Sequence, residues 1–278
     1  MIAPDLSAQV QALGWYHTID LGGGLVTPGA YDHRPYVGAY GFPRDLHGRT
    51  ALDVGASNGF FTFDLERRGA VVTSTDLPQW DAHDFGPRYV APMDAAAAEG
   101  LLHDAYRLAH TALGSRAERR LITDPARALQ RLQAVTREAA IIATVLYPLA
   151  TPEPIARFMG EPGGFTWWYP NRAAFEALVR SAGFTGYEWY SEFRLDYADG
   201  QPGPYHGVIR AWNTPARPAW LEDADPLPPN LIASAFSPAV LPVTPGSEPA
   251  APTLDPGTPD ADGGYRGRLR ALTRRIGR

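Results

Sequence analysis

Apolar residues recur along this chain at two spacings, and the switches between them mark out its elements. Residues 51–54 (Ala-Leu-Asp-Val) form a short apolar run that predicts a buried strand. Gly55 to Gly59 predict a turn of bare backbone, and from Phe60 to Gly69 the spacing is helical. A second strand, residues 71–75, ends in Asp76. Residues 5–13 predict a short helix with Leu6, Val10 and Leu13 on one stripe, and residues 101–113 a longer one. Residues 117–122 begin a further strand. Asp124 and Pro125 then open a helix over 126–137, since Asp caps and Pro suits the first turn. The continuous apolar run at 139–146 predicts a strand buried on both faces. After an aromatic cluster at 165–170, Asn171 caps a helix whose buried face is Phe175, Leu178 and Val179, with Gly183 as its stop. Residues 187–195 and 207–212 predict a closing antiparallel pair of strands.

Strands alternating with helices predict an α/β fold with helices on both faces of the sheet. Residues 1–48 are expected to form an N-terminal cap or lid, and 49–214 the main domain. Within the cap, residues 15–29 are aromatic, polar and glycine-rich without a helical period, which suits a lid or an irregular packing layer. His17 lies among polar residues of that segment and His33 in its continuation; imidazoles ordinarily titrate near neutral pH, so both are candidate bases. From 215 to 262 Pro, Ala, Gly, Asp and Ser dominate and no period survives, so residues 215–278 read as a disordered Pro-rich tail dispensable for folding. Its end is basic, with Leu269, Leu272 and Ile276 on one helical stripe.

Composition narrows the chemistry. The chain has 278 residues, 45% hydrophobic and 20% charged, which is ordinary for a soluble globular protein. It contains no Cys, which removes disulfides, thiolate metal sites and Cys nucleophiles, and no metal site is expected. All 25 basic residues are Arg, so Lys chemistry is absent as well. A net charge of −5 and a pI near 5.8 argue against a nucleic-acid binder. With no signal-peptide pattern and no apolar run long enough to span a bilayer, a cytoplasmic location without a membrane span is the default expectation.

The strand, glycine turn and helix start in the middle of this pattern aim unpaired backbone N–H groups at whatever sits in the turn. Asp76, about 20 residues past the first glycine at the next strand tip, is placed to accept two ribose hydroxyls. The glycine spacing Asp53-x-Gly55-x-x-x-Gly59 is not that of dinucleotide binders, and a chain without Lys cannot contain a P-loop. An acid at the first strand tip suits an ammonium group, so a nucleoside with an amino-acid tail fits both acids. This stretch resembles motif I of the class I S-adenosylmethionine-dependent methyltransferases, with Ser57 where that motif usually has Gly. The resemblance implies S-adenosyl-L-methionine as cofactor, a Rossmann-like sheet, and cofactor contacts from Asp53, Gly55, Ala56, Ser57, Gly59, Asp76 and Leu77, with Trp80 beside the adenine.

Trp15-Tyr-His17, Thr27-Pro-Gly29, Leu52-Asp-Val-Gly55, Ala128-Leu-x-Arg-Leu132 and Trp167-Trp-x-Pro-Asn-Arg172 together resemble relatives of the tRNA wobble-uridine carboxymethyltransferase, over roughly residues 15–212. Trp167, Trp168 and Arg172 are expected to face a substrate, with Arg172 anchoring an acidic group, and His17 and His33 are the candidate catalytic bases. The chain departs from the pattern before Asp124. About 25 residues, most of a third strand and all of a fourth, are missing by the usual strand and connection lengths. Residues 139–146 are therefore expected to pair directly with 51–54. The expected function is methyl transfer to a small molecule. The alternatives are a tRNA-modifying methyl- or carboxymethyltransferase and a catalytically impaired cofactor-binding or regulatory protein.

Overall fold

The computed structural model describes residues 4–78, 97, 100–121, 128–158 and 168–228. They form a mixed α/β structure containing two three-stranded sheets and a short hairpin. The first sheet is parallel, in the order β1 (Thr50–Val54), β2 (Val71–Asp76), β3 (Glu118–Leu121). Its register sets Asp53 opposite Ser74 and Asp76 opposite Leu121. Helix α2 (Phe60–Arg67) connects β1 to β2, and α3 (Ala105–Leu113) precedes β3. Phe60 and Phe63 of α2 and Tyr106 and Ala109 of α3 pack with Val10 of α1 (Pro4–Ala12) and with Trp15, which is fully buried.

The second sheet is antiparallel, in the order β4 (Ala139–Val145), β8 (Tyr205–Trp212), β7 (Gly186–Arg194). One face packs through Ala140, Ile142, Ile209 and Ala211 on Phe175 and Val179 of α5 (Arg172–Ser181) and on Leu129 and Leu132 of α4 (Ala128–Val135). The other face packs through Ile141, Phe193 and Val208 on Tyr31, Ala39 and Tyr40 of the N-terminal segment. The hairpin pairs β5 (Ala156–Phe158) with β6 (Trp168–Pro170).

Several expectations hold locally. Asn171 caps α5 by accepting from the Ala174 amide at 2.9 Å, and it also braces the preceding loop through Ile155 N and Glu153 O. Gly183 follows the helix at φ 95°. Leu178, however, is exposed, because Ala174, Phe175 and Val179 already fill the inward stripe. The predicted helix opening at Asp124-Pro125 lies outside the described residues, where α4 is seen from Ala128.

The expected ladder between residues 139–146 and 51–54 is not formed. Among the described residues β1 pairs only with β2, and β4 only with β8. The expectation assumed that β1 is buried, so that its free edge would demand protein partners. Instead Leu52 and Val54 are 43% and 50% exposed, and water reaches that face. The run at 139–146 is not buried on both faces throughout either, since Ala143 is exposed. The strand expected to begin at 117–122 is seen as the four-residue β3; no counterpart of a fourth parallel strand occurs among the described residues. Helices cover the β1–β2–β3 sheet on the α2 and α3 side, while Leu52, Val54 and Val71 (70% exposed) stand exposed on the other face.

The packed chain also runs past the boundary expected at residue 214. Leu221 is fully buried and its carbonyl accepts from Arg210 Nη1 at 2.6 Å. Asp225 bonds Arg68 at 2.7 Å, Asp223 pairs with Arg44, and Arg217 pairs with Glu188. Residues 229–278, including the predicted basic helix, lie outside the described residues. Replacing Leu221 with Ala should cost about 2–5 kcal/mol, as for other fully buried leucines, read from the shift of a guanidinium chloride titration. A change below about 0.5 kcal/mol would show that residues 219–222 are an ornament on the fold.

Candidate active site

The site is built where β1 ends, α2 begins and the N-terminal segment crosses both. Gly55, Ser57 and Gly59 all have positive φ (78°, 48° and 93°). At Gly59 a side chain would collide with Phe63 at 2.6 Å and Tyr106 at 2.8 Å, so the turn and the α2–α3 packing both require glycine. At Gly55 a Cβ would meet nothing within 4 Å, leaving open space over the turn. Ser57 adopts this backbone without being glycine.

Asp76 lies at the tip of β2 and is buried. Its Oδ2 accepts from the Ser57 amide at 2.6 Å and its Oδ1 from the Leu77 amide at 2.8 Å. Arg119 of β3 lies 3.4 Å from Asp76 Oδ2, donates to the Ser57 carbonyl at 3.1 Å and stacks 3.9 Å over the Tyr106 ring. Asp53 accepts from Thr62 Oγ1 at 2.6 Å. Desolvation, reinforced by the nearby Asp76 charge, pushes its carboxyl up to about 6 despite the opposing Thr62 bond and Arg119 charge. Ala56 is buried, and its amide, like that of Gly55, bonds the Thr75 carbonyl at 3.0 Å. Four of the expected cofactor-contacting positions are thus grouped around one turn between the two acids.

The two candidate histidines come together, although 16 positions separate them in sequence. Their ring centroids are 5.1 Å apart, beside Phe60 and Phe61. His33 Nδ1 bonds Tyr40 Oη at 2.8 Å. His17 Nδ1, His33 Nε2 and Thr18 Oγ1 are buried without a hydrogen-bond partner. The expectation that these imidazoles titrate near neutrality is corrected by their burial. Desolvation drops His17 to about 3, and desolvation with the neighbouring His17 and His206 holds His33 well below its ordinary value. Both are neutral at pH 7.

Two residues that the sequence reading passed over hold this arrangement. Asn58, fully buried, accepts from the amides of Tyr16 (2.5 Å) and His17 (3.2 Å) and donates to the Leu101 carbonyl at 2.7 Å. It pins the His17 segment to the glycine turn and to the approach of α3. Its only sequence signal was a polar residue inside the turn. Arg119 is the other; a guanidinium in a strand shows no partner until the fold supplies one.

Trp168 is exposed and packs its ring on Phe158. Arg172 pairs with Glu192 at 3.1 Å and stacks 4.4 Å over Trp189. Trp80 and Trp167 lie outside the described residues. No helix among the described residues is long and apolar enough to cross a membrane.

No protein-family model and no curated protein matches the chain. Among solved structures it is similar to the N-terminal domain of EvdMO1 in the presence of SAH and D-fucose, at 15% identity and a TM-score of 0.47, covering 76% of this chain and 97% of that one. An O-methyltransferase family protein from Burkholderia thailandensis is similar at 14% identity and a TM-score of 0.39, over 65% of this chain and 54% of the other. The magnesium protoporphyrin IX methyltransferase ChlM of Synechocystis PCC 6803 with bound SAH is similar at 14% identity and a TM-score of 0.35, over 60% and 75%.

The displaced Asp53 titration has a direct consequence. A carboxyl raised from its unfolded value near 3.8 to about 6 destabilises the ligand-free fold as pH rises through that window, because the folded state holds the proton longer. Asp53→Asn removes the charge and keeps an acceptor for Thr62. The variant should melt higher than the parent above pH 6, with the advantage vanishing below about pH 4. A difference in melting temperature independent of pH would contradict the assignment.

Proposed function

We propose that the chain is an S-adenosylmethionine-dependent methyltransferase acting on a small molecule. The observation that carries this reading is the pair of acids, Asp53 and Asp76, at neighbouring strand tips on either side of a positive-φ turn. The residues fit the cofactor: Gly55 has open space above it, and Asp53 is desolvated next to a second acid, a setting that favours a cation. Asp53 would hold the ammonium side of the methionine moiety, Gly55, Ala56, Ser57 and Gly59 would line its approach, and Asp76 would hold the ribose, with Leu77 beside it. When bound, the cofactor supplies an electrophilic methyl group on a sulfonium centre. The protein's part is to hold an acceptor in line with it, mainly a proximity effect. His17 and His33 offer orphaned ring nitrogens from a buried, water-poor pair and act as neutral hydrogen-bonding groups that orient the acceptor. With a pKa near 3, His17 is too weak a base to drive deprotonation alone.

A second reading is supported by the edge of β1 that has no partner among the described residues and by the engagement of Asp76 with Ser57 and Arg119. In it the protein binds the cofactor but turns over slowly and serves a regulatory role. The net charge of −5 disfavours the RNA-directed alternative.

Calorimetric titration with S-adenosylhomocysteine tests the cofactor. Binding is expected, and Asp76→Ala should weaken it by about 1.5–3 kcal/mol for each charged hydrogen bond lost. Absence of binding to the parent protein would sink both readings, and unchanged affinity in the variant would move the ribose site elsewhere. Turnover against a panel of small acceptors then separates enzyme from regulator.

A further inference from the structure

Tyr40 Oη and His33 Nδ1 share a hydrogen bond of 2.8 Å, and its direction decides what the other ring nitrogen can do. A neutral imidazole carries one proton, on Nδ1 or on Nε2; it donates at that nitrogen and accepts at the other. Burial keeps His33 neutral at pH 7. With the proton on Nδ1, the ring would donate to Tyr40 Oη. The buried phenol O–H would then need another acceptor, and among the described residues Tyr40 Oη bonds nothing but His33. His33 Nε2, which is buried without a partner, would be stranded as well. With the proton on Nε2, Tyr40 donates to Nδ1 and only the Nε2–H is stranded. Each stranded buried group costs its desolvation, so the second arrangement is favoured. His206, which stacks on Phe193 of the same cluster, is the opposite case. Its Nδ1 lies 3.1 Å from the Pro204 carbonyl, which can only accept, so its proton sits on Nδ1.

We infer that Tyr40 is a positioning residue that fixes the proton of His33 on Nε2, so that His33 meets a ligand as a hydrogen-bond donor and not as a base. The stranded N–H belongs to a ring beside the glycine turn. Phe60 and Phe61, whose rings lie 5.4 and 5.1 Å from that of His33, open α2 directly after Gly59. Asn58 of the same turn holds the His17 amide. A ligand group that reaches His33 Nε2 must bring a lone pair. An uncharged hydroxyl or carbonyl oxygen suits this desolvated aromatic setting. An ammonium group has no lone pair to offer, and a carboxylate would lose its water without gaining a cation. That this oxygen belongs to the methyl acceptor rests on the methyltransferase reading; the place of the proton does not.

Nuclear magnetic resonance on the isotopically labelled full chain at pH 7 tests both parts. Correlating the carbon-bound ring protons with the ring nitrogens tells a protonated nitrogen from a bare one, and His33→Gln assigns the His33 signals by their loss. His33 should carry its proton on Nε2 and His206 on Nδ1. Tyr40→Phe keeps a ring against Phe61 and Phe193 but removes the hydroxyl. In it the His33 Nδ1 signal should move to the position of a bare nitrogen with no donor. A proton on His33 Nδ1 in the parent overturns the inference whether or not the variant folds. An unmoved Nδ1 signal in the folded variant overturns the role of Tyr40. Benzyl alcohol and benzylamine then probe the donor, since they share a shape but at pH 7 only the alcohol carries a lone pair. The alcohol should move the His33 Nε2–H proton signal and the ammonium should not. Equal shifts from both probes, a shift from benzylamine alone, or none from either, overturn the ligand class. Calorimetry with S-adenosylhomocysteine judges the methyltransferase reading separately, because its outcome leaves the proton of the ring where it is found.

Discussion

Among the described residues the two sheets are joined by side chains rather than by a shared backbone ladder, and much else depends on this. Tyr40 contacts Phe61 edge-on at 4.8 Å and Phe193 edge-on at 5.2 Å, and Phe42 lies 5.8 Å from Phe61. Through these rings α2, which follows the glycine turn, is fastened to β7 of the other sheet. Each such pair is worth about 0.5–1.5 kcal/mol beyond its buried area. The Arg49–Glu138–Trp220 contact ties the strand starts on the other side. The N-terminal segment thus packs against both halves. It delivers His33 and Tyr40 to the same cluster that carries His17.

The electrostatics of the turn follow from the same layout. Asp53 and Asp76 are drawn close by the register of β1 on β2, and burial makes their mutual repulsion matter. Arg119 offsets part of it from β3. The carboxyl without its own cation, Asp53, holds its proton into the weakly acidic range, while Asp76 is met by two amides and a guanidinium. A ligand carrying an ammonium group and vicinal hydroxyls would relieve the first and compete for the second. The histidine pair sits in a drier place still, and its low basicity makes it suited to orientation rather than proton removal.

How far the sequence revealed this depended on whether the information was local. Asp53, Gly55, Gly59 and Asp76 were legible because a strand, a turn needing positive φ and a helix start leave a short-range imprint on residue choice. The cap at Asn171 was legible for the same reason. Leu178 was misjudged because helical spacing defines a stripe but not its edges. The boundary at 214 was misplaced because composition is blind to single anchors such as Leu221. Asn58 was missed because its partners lie 41 or more residues away, and Arg119 because Ser57 and Asp76 lie 62 and 43 residues before it.

By itself, then, the sequence determined the α/β character, the turn with its two acids, and the absence of Lys and Cys chemistry. These follow from periodicity, backbone conformation and residue type, which act within a few neighbours. The tertiary structure alone decided that β1 and β4 form no ladder among the described residues, that His17 and His33 meet in a desolvated cluster where neither is a good base, and that Arg119 reaches Asp76. Each of these depends on which distant segments share space and on how much water they exclude. A linear chain does not encode the dielectric around a group until its packing is complete.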